Sequence, residues 1–287
     1  VGPKKILNLL VAITIGFLIP FGIISFLFLF DNKVFDANDI LAVNKTTPIL
    51  MEVPLTKNEA DKKDLDEIFR TLIHNALFLR PEKNTKEALS ILVTSAIQGE
   101  GKTFLSFKMA EGLAKMGKKV VLVGADIRNP QLHKHTNSNR PILGIVNYVV
   151  DNSLDWKSLV AHHTINANTL DIVSCGSIPP NPTNILMSQR FEELISELKK
   201  NYDYIVFDSA PALLVSDTLV MAHFADITLF SVRSKLTEKK LIEFSANLIN
   251  DKKIKNAAYV LNGIDLSKVR YGYKYNYGYG YGYGSNT

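Results

Sequence analysis

Ser95–Phe104 reads "SAIQGEGKTF", set between an apolar run, "SILVTS" at 90–95, and a helical pattern that Gly117 closes. A short buried strand, a glycine-bearing turn and a helix in that order make one unit of a parallel α/β sheet. Gly99 and Gly101 let backbone N–H groups turn inward around a phosphate chain, where a Cβ would block the approach. Lys102 is placed to reach the β- and γ-phosphates, and Thr103 to put its hydroxyl on Mg²⁺. The helix that begins there adds its positive end to the same anion. Ala96 stands where the phosphate-loop template has its first glycine. Gly99, Glu100, Gly101, Lys102, Thr103 and Phe104 are therefore expected at a bound nucleotide. Phe104, Phe107, Ala110, Leu113 and Ala114 also give the helix an ordinary core face.

The pattern repeats along the chain. "KVVLVG" (119–124), "LDIVS" (170–174), "DYIVFD" (203–208), "DITLFSV" (226–232) and "AAYVLN" (257–262) are short β-rich runs separated mainly by helical patterns. They are almost continuously apolar, as strands buried on both faces of a parallel sheet are. The expected fold is doubly wound, mostly parallel α/β, of the P-loop NTPase kind. A helix over about 61–79 precedes it, with Leu65, Ile68, Phe69, Leu72, Ala76 and Leu79 on one stripe and Arg80-Pro81 as its stop.

Ligands sit outside the carboxyl ends of such strands, so acidic strand ends should face the glycine loop. "VVLVGADIRNP" places Asp126 and Arg128 just past one strand, and "YIVFDSAP" places Asp208 at the end of another. Asp208 has the character of an acid that holds Mg²⁺ through water, and Asp126 would approach the metal or the attacking nucleophile. The expected metal set is Thr103, Asp126 and Asp208; the expected catalytic set is Lys102, Asp126 and Asp208.

Both ends of the chain depart from this pattern. Ile6–Phe30 is 25 residues without a charge, about 37 Å as a helix and so long enough to cross a membrane. No small-residue cleavage site follows it, which argues against a signal peptide. From about Asp265 the composition collapses, and tyrosine fills every second position: Tyr271, Tyr273, Tyr275, Tyr277, Tyr279, Tyr281 and Tyr283. The glycines between them weaken a strand reading, and the segment is expected to be a disordered tail. The resulting division is a transmembrane helix over 1–30, a linker and domain entry over 31–60, the P-loop domain over 61–264 and the tail over 265–287.

Composition narrows the partners. The net charge of +5 comes without a dense Lys/Arg block, so nucleic acid is not expected, whereas an anionic membrane surface suits the balance. The single cysteine, Cys175, excludes an internal disulfide framework. His133, His135, His162 and His163 lack a third ligand at metal-site spacing.

Taken together these motifs resemble the bacterial tyrosine kinases, the cytoplasmic kinase domains of polysaccharide co-polymerases. The resemblance rests on Ala96–Thr103, on Asp126-Ile-Arg128, on Asp208 with Pro211, on "GSIPPNP" (176–182) followed by "SQRFEEL", on "VRSKLT", on "TPILMEVP" and on the tyrosine cluster. It implies a non-specific protein-tyrosine kinase that uses ATP and Mg²⁺ and phosphorylates its own C-terminal tyrosines, between subunits. It implies Arg128 at the nucleotide site and Asn262 near the adenine. It further implies a homo-oligomeric ring with Glu67 and Arg70 at the contact, a place in capsular or exopolysaccharide polymerisation and export, a partner phosphatase, and a kinase domain on the cytoplasmic side of the inner membrane.

Two departures from the family pattern matter. Gly124 stands where the family usually carries the first of two aspartates, leaving Asp126 to serve alone. Ile73 stands where the family's E-x-x-R-x-x-R subunit-contact motif has its second arginine. They support an alternative, a nucleotide-binding assembly scaffold with little kinase activity. MinD/ParA-type ATPases share the fold, but their signature lysine five residues before the loop lysine is Ile97 here.

Overall fold

The apolar runs become strands with a hydrophobic layer on each side. The computed structural model describes residues 5–29, 31–55, 61–81, 87–135, 143–165 and 167–265. Its eight-stranded sheet comprises β1 (Ile49–Pro54), β2 (Leu89–Ser95), β3 (Val120–Gly124), β4 (Val160–Ile165), β5 (Asn168–Val173), β6 (Tyr204–Asp208), β7 (Ile227–Arg233) and β8 (Ala257–Ile264), in the order β1-β8-β7-β2-β6-β3-β5-β4. Every pairing is parallel except β4 with β5.

Successive strand residues face opposite layers, which is why runs such as β2 are apolar throughout. Ile91 and Val93 pack on the side of α3 (Asp61–Leu77) and α4 (Lys102–Lys115). Leu92 points to the other side, into the core that α5 (Ile145–Val150) and α7 (Gln189–Asn201) cover. Helix α7 buries Phe191, Leu194, Ile195 and Leu198 at helical spacing, and its N-cap Ser188 accepts a hydrogen bond from Phe191 N. A third cluster, including Phe230, Tyr259, Ile242 and Leu248, joins β7 and β8 to α9 (Lys239–Asn250) and α2 (Ala37–Val43).

Three features differ from the sequence expectation. "ILMEV", within the expected linker and domain entry, is a full strand: as β1 it forms one sheet edge, parallel to β8. The expected 31–60 linker is, over its described part, built into the domain, with Val34 and Ile40 fully buried. Val34 N donates to Thr237 O and Lys235 N to Val34 O, both at 2.8 Å. The opposite edge, β4, carries the polar "VAHHTI", and the apolar-run criterion passes over it. Helix α3 ends at Leu77, two residues before the expected limit.

Helix α1 (Lys5–Leu29) contains Pro20. Counted on the described residues alone, no helix is long and apolar enough to cross a membrane. Several α1 side chains lie outside that set.

The sheet order places β2, β6 and β3 side by side. In register, Asp208 of β6 lies beside Val93 of β2 and Gly124 of β3. The turns that follow these three strands therefore open on one spot at the carboxyl edge of the sheet.

Candidate active site

The loop between β2 and α4 is held from beneath. Gly99 and Gly101 have φ near +90°, the left-handed region that side chains rarely adopt. At Gly101 the space is closed as well, since an added Cβ would meet Asn262 Nδ2 at 2.1 Å. Glu100 turns inward. Its carboxylate accepts from Ile97 N at 2.8 Å and from Thr237 Oγ1, and burial pushes its pKa up. Its carbonyl accepts from Ser231 Oγ at 2.8 Å and Asn262 Nδ2 at 3.2 Å. This pins the loop at both ends of one residue, leaving the glycine N–H groups to shape the mouth.

At that mouth Lys102 Nζ lies 2.7 Å from Asp126 Oδ2, and Asp126 Oδ1 accepts from Asn129 N at 3.1 Å. Asp208 is 1 % exposed. Burial pushes its pKa up to about 6, against the pull of Lys102 and of the Thr103 and Ser106 hydroxyls. Its Oδ1 is buried with no hydrogen-bond partner.

A buried, unsatisfied carboxylate oxygen beside a threonine hydroxyl and a second carboxylate is a hard oxygen set. Among the described residues no group of three or more His, Cys, Asp or Glu is placed to hold a metal ion. Mg²⁺ does not ask for one, because it takes one or two carboxylates and completes its shell with water and phosphate oxygens. Thr103, Asp208 and Asp126 fit that ion.

Several residues expected at the nucleotide engage their side chains elsewhere. The Glu100 side chain serves the loop and does not face its mouth. Phe104 packs edge-to-face on Phe69, ring centroids 5.9 Å apart, with the core. Asn262 backs the loop at Gly101 and Glu100. Arg128 turns away from Lys102, giving Nε to Asp217 Oδ2 at 2.7 Å and Nη2 to Thr183 Oγ1 at 3.0 Å. Glu67 and Arg70 are exposed on α3 and 3.6 Å apart, whereas Ile73 is fully buried, its Cδ1 2.7 Å from where a Cβ on Gly112 would stand. Position 73 thus belongs to the α3–α4 packing and not to that surface. Tyr271, Tyr273, Tyr275, Tyr277, Tyr279, Tyr281 and Tyr283 lie outside the described residues.

Sequence reasoning missed Asp217, and it gave Arg233 and Thr237, both within "VRSKLT", no role at the site. The Arg233 guanidinium lies across Gly263, and its Nη1 is 3.7 Å from the Cβ position of Gly101. The β7–β8 register that sets Arg233 opposite Asn262 brings it there. His162 and His163 stay outside the site: His162 pairs with Asp171 at 2.6 Å, and His163 stacks edgewise on Phe107.

A small cleft borders the two acids. Gly124, Asp126, Gln131, His133, Cys175 and Asp208 are among its lining residues. A Cβ on Gly124 would meet Leu132, Val173 and Cys175 only at 3.4–3.7 Å, ordinary contact.

Known proteins share this fold and much of this sequence. The family model described as an AAA domain matches residues 90–257. The tyrosine-protein kinase YwqD of Bacillus subtilis (strain 168) is 32 % identical over 208 residues, which is 72 % of this chain and 85 % of that protein. A Klebsiella pneumoniae protein named as a putative tyrosine-protein kinase in a cps region is 28 % identical over 195 residues, 68 % of this chain but 26 % of its own length. The solved BceF tyrosine kinase domain superposes with a TM-score of 0.67 at 25 % identity, covering 81 % of this chain and all of that one.

Proposed function

The chain belongs to the bacterial tyrosine kinases, and we propose that it is an ATP- and Mg²⁺-dependent autokinase whose acceptors are the tail tyrosines 271–283. The single observation that carries this reading is the pairing of a glycine loop bearing Lys102 with two buried carboxylates at adjacent strand ends, in a chain that also ends in alternating tyrosines.

Phosphoryl transfer asks the protein mainly for positioning and charge stabilisation. Mg²⁺, when bound, supplies neutralisation of the charge on the phosphate oxygens. The loop N–H groups and Lys102 hold the phosphate chain. Thr103 and Asp208 hold the metal side. Asp126 exchanges its bond to Lys102 for the phenol and accepts the hydroxyl proton.

The anchor, the assembly and the setting belong to the same proposal. The 25 uncharged residues of Ile6–Phe30 fit a membrane span, with the kinase domain on the cytoplasmic face. The tail from Lys268 carries Lys268, Arg270 and Lys274 and no acid, so it suits the acidic mouth of a neighbouring subunit in a homo-oligomer. Each phosphate adds about −1.5 to −2 in charge, and successive phosphorylation then expels the tail and loosens the assembly until a phosphatase resets it. Regulation of capsule or exopolysaccharide export is supported by the cps setting of the Klebsiella relative.

Labelling with γ-³²P-ATP tests this reading. Label is expected on the chain in Mg²⁺ and lost when all seven tail tyrosines are phenylalanine. ATP binding without label supports the scaffold alternative, which Gly124 favours.

A further inference from the structure

Asp217 is the first residue of α8 (Asp217–Phe224), 1 % exposed, and the steps above do not use it. It closes a triangle between three segments at the site. Its carboxylate accepts from Arg128 Nε at 2.7 Å, from Arg128 Nη2 at 3.2 Å and from Thr183 Oγ1 at 2.6 Å. Arg128 Nη2 also donates to Thr183 Oγ1 at 3.0 Å. Arg128 lies two residues past Asp126, Thr183 is the second residue of the short helix α6 (Pro182–Leu186), and Asp217 follows the turn that leaves Asp208.

The pairing is unequal. The Asp217 side chain is 2 % exposed and Arg128 is 40 % exposed. Burying a carboxylate this deep is costly without a cation at hydrogen-bond distance, and the start of a helix is a favourable place for its charge. Arg128 has a second carboxylate within electrostatic range, Asp126, but only Asp217 bonds it. Asp126 already has Lys102 on one oxygen and Asn129 N on the other. A guanidinium added there would occupy the acid that must meet metal and phenol.

We infer that Asp217 is a positioning residue: it holds Arg128 off Asp126 and fastens the Thr183 segment beside the site. This rests on the kinase reading above and adds a residue that acts through another.

The test uses the full chain with Mg²⁺ and ATP, reading tail phosphorylation rate, KM for ATP and melting temperature. Asp217→Asn keeps the shape and an acceptor for Thr183 but removes the charge that holds Arg128. Its kcat is expected to fall on the order of 10- to 100-fold, with KM for ATP within about twofold. Arg128→Gln should lose less than Asp217→Asn. The double variant Arg128→Gln/Asp217→Asn should match Arg128→Gln, because no freed guanidinium remains to cover Asp126. A purely structural clasp reverses the order, since Arg128→Gln strands a buried charge while Asp217→Asn does not. That reversed order, or an Asp217→Asn enzyme with wild-type kcat, overturns the inference. A wild-type chain that makes no phosphotyrosine contradicts the kinase reading instead.

Discussion

Lys102 Nζ and Asp126 Oδ2 are 2.7 Å apart, with the two side chains 9 % and 5 % exposed. The loop lysine and the candidate base neutralise each other. On the proposed function, phosphates entering the loop would compete for Lys102 and release Asp126, so that arrival of the donor would unmask the base.

This exchange gives opposite effects on binding and transfer. Asp126→Asn should bind ADP without Mg²⁺ at least as tightly as the wild type, because Lys102 is no longer engaged by an anion. Tail phosphorylation should fall by on the order of 10²- to 10⁴-fold. Isothermal titration and a single-turnover assay read the two quantities separately. Normal transfer in this variant would show that another group activates the phenol.

Burial of Asp208 sets a pH dependence. Its folded pKa of about 6 exceeds the ordinary 3.8, so between those values the folded chain holds a proton that the unfolded chain has lost. Stability from this group is therefore present at low pH and is lost as pH rises from about 4 to about 6, by roughly 3 kcal/mol, and it is flat above that. Asp208→Asn should abolish that slope and raise the melting temperature of the nucleotide-free chain near pH 7.5, while Mg²⁺-dependent transfer disappears. A melting temperature that drops at pH 7.5 would mean that the carboxylate is better satisfied than its orphaned Oδ1 indicates.

Glu100 is a structural test of the loop. Glu100→Ala leaves Ile97 N–H and the Thr237 hydroxyl without their acceptor, at about 1–3 kcal/mol per stranded group. The urea midpoint and ADP affinity should fall together, and Glu100→Gln should be milder because its amide oxygen still accepts. Unchanged ADP binding in Glu100→Ala would show that the glycines alone shape the mouth.

Gly124 can be returned to the residue usual in the family. Its Cβ position is in ordinary contact and its backbone is not left-handed, so Gly124→Asp should fold. The new carboxylate would enter the cleft beside Asp126 and is expected to raise the initial transfer rate severalfold. An unchanged rate would establish that Asp126 suffices alone.

The legible parts of this chain were those whose chemistry is local. The spacing of Gly99, Gly101, Lys102 and Thr103 fixes a backbone path, and the apolar runs fix strands buried on both faces. Edge strands escaped, because prolines bound the apolar run of β1 and β4 carries three consecutive polar residues. Side-chain direction escaped too. Glu100 and Phe104 lie in the loop motif, yet one points beneath it and the other into the core. Asp217 meets Arg128 from 89 positions away, and only the sheet order makes them neighbours.

The central claim is transfer from the Lys102 loop to the tail, and phosphopeptide mass spectrometry of the full chain reads it directly. After incubation with ATP and Mg²⁺, the wild type should carry phosphate on several of Tyr271–Tyr283, and Lys102→Met should carry none while keeping its circular dichroism spectrum. Mixed with wild type, the Lys102→Met chain should acquire phosphate, as transfer between subunits requires. An unphosphorylated wild-type tail, or a fully phosphorylated Lys102→Met tail in the absence of any other kinase, would contradict the account.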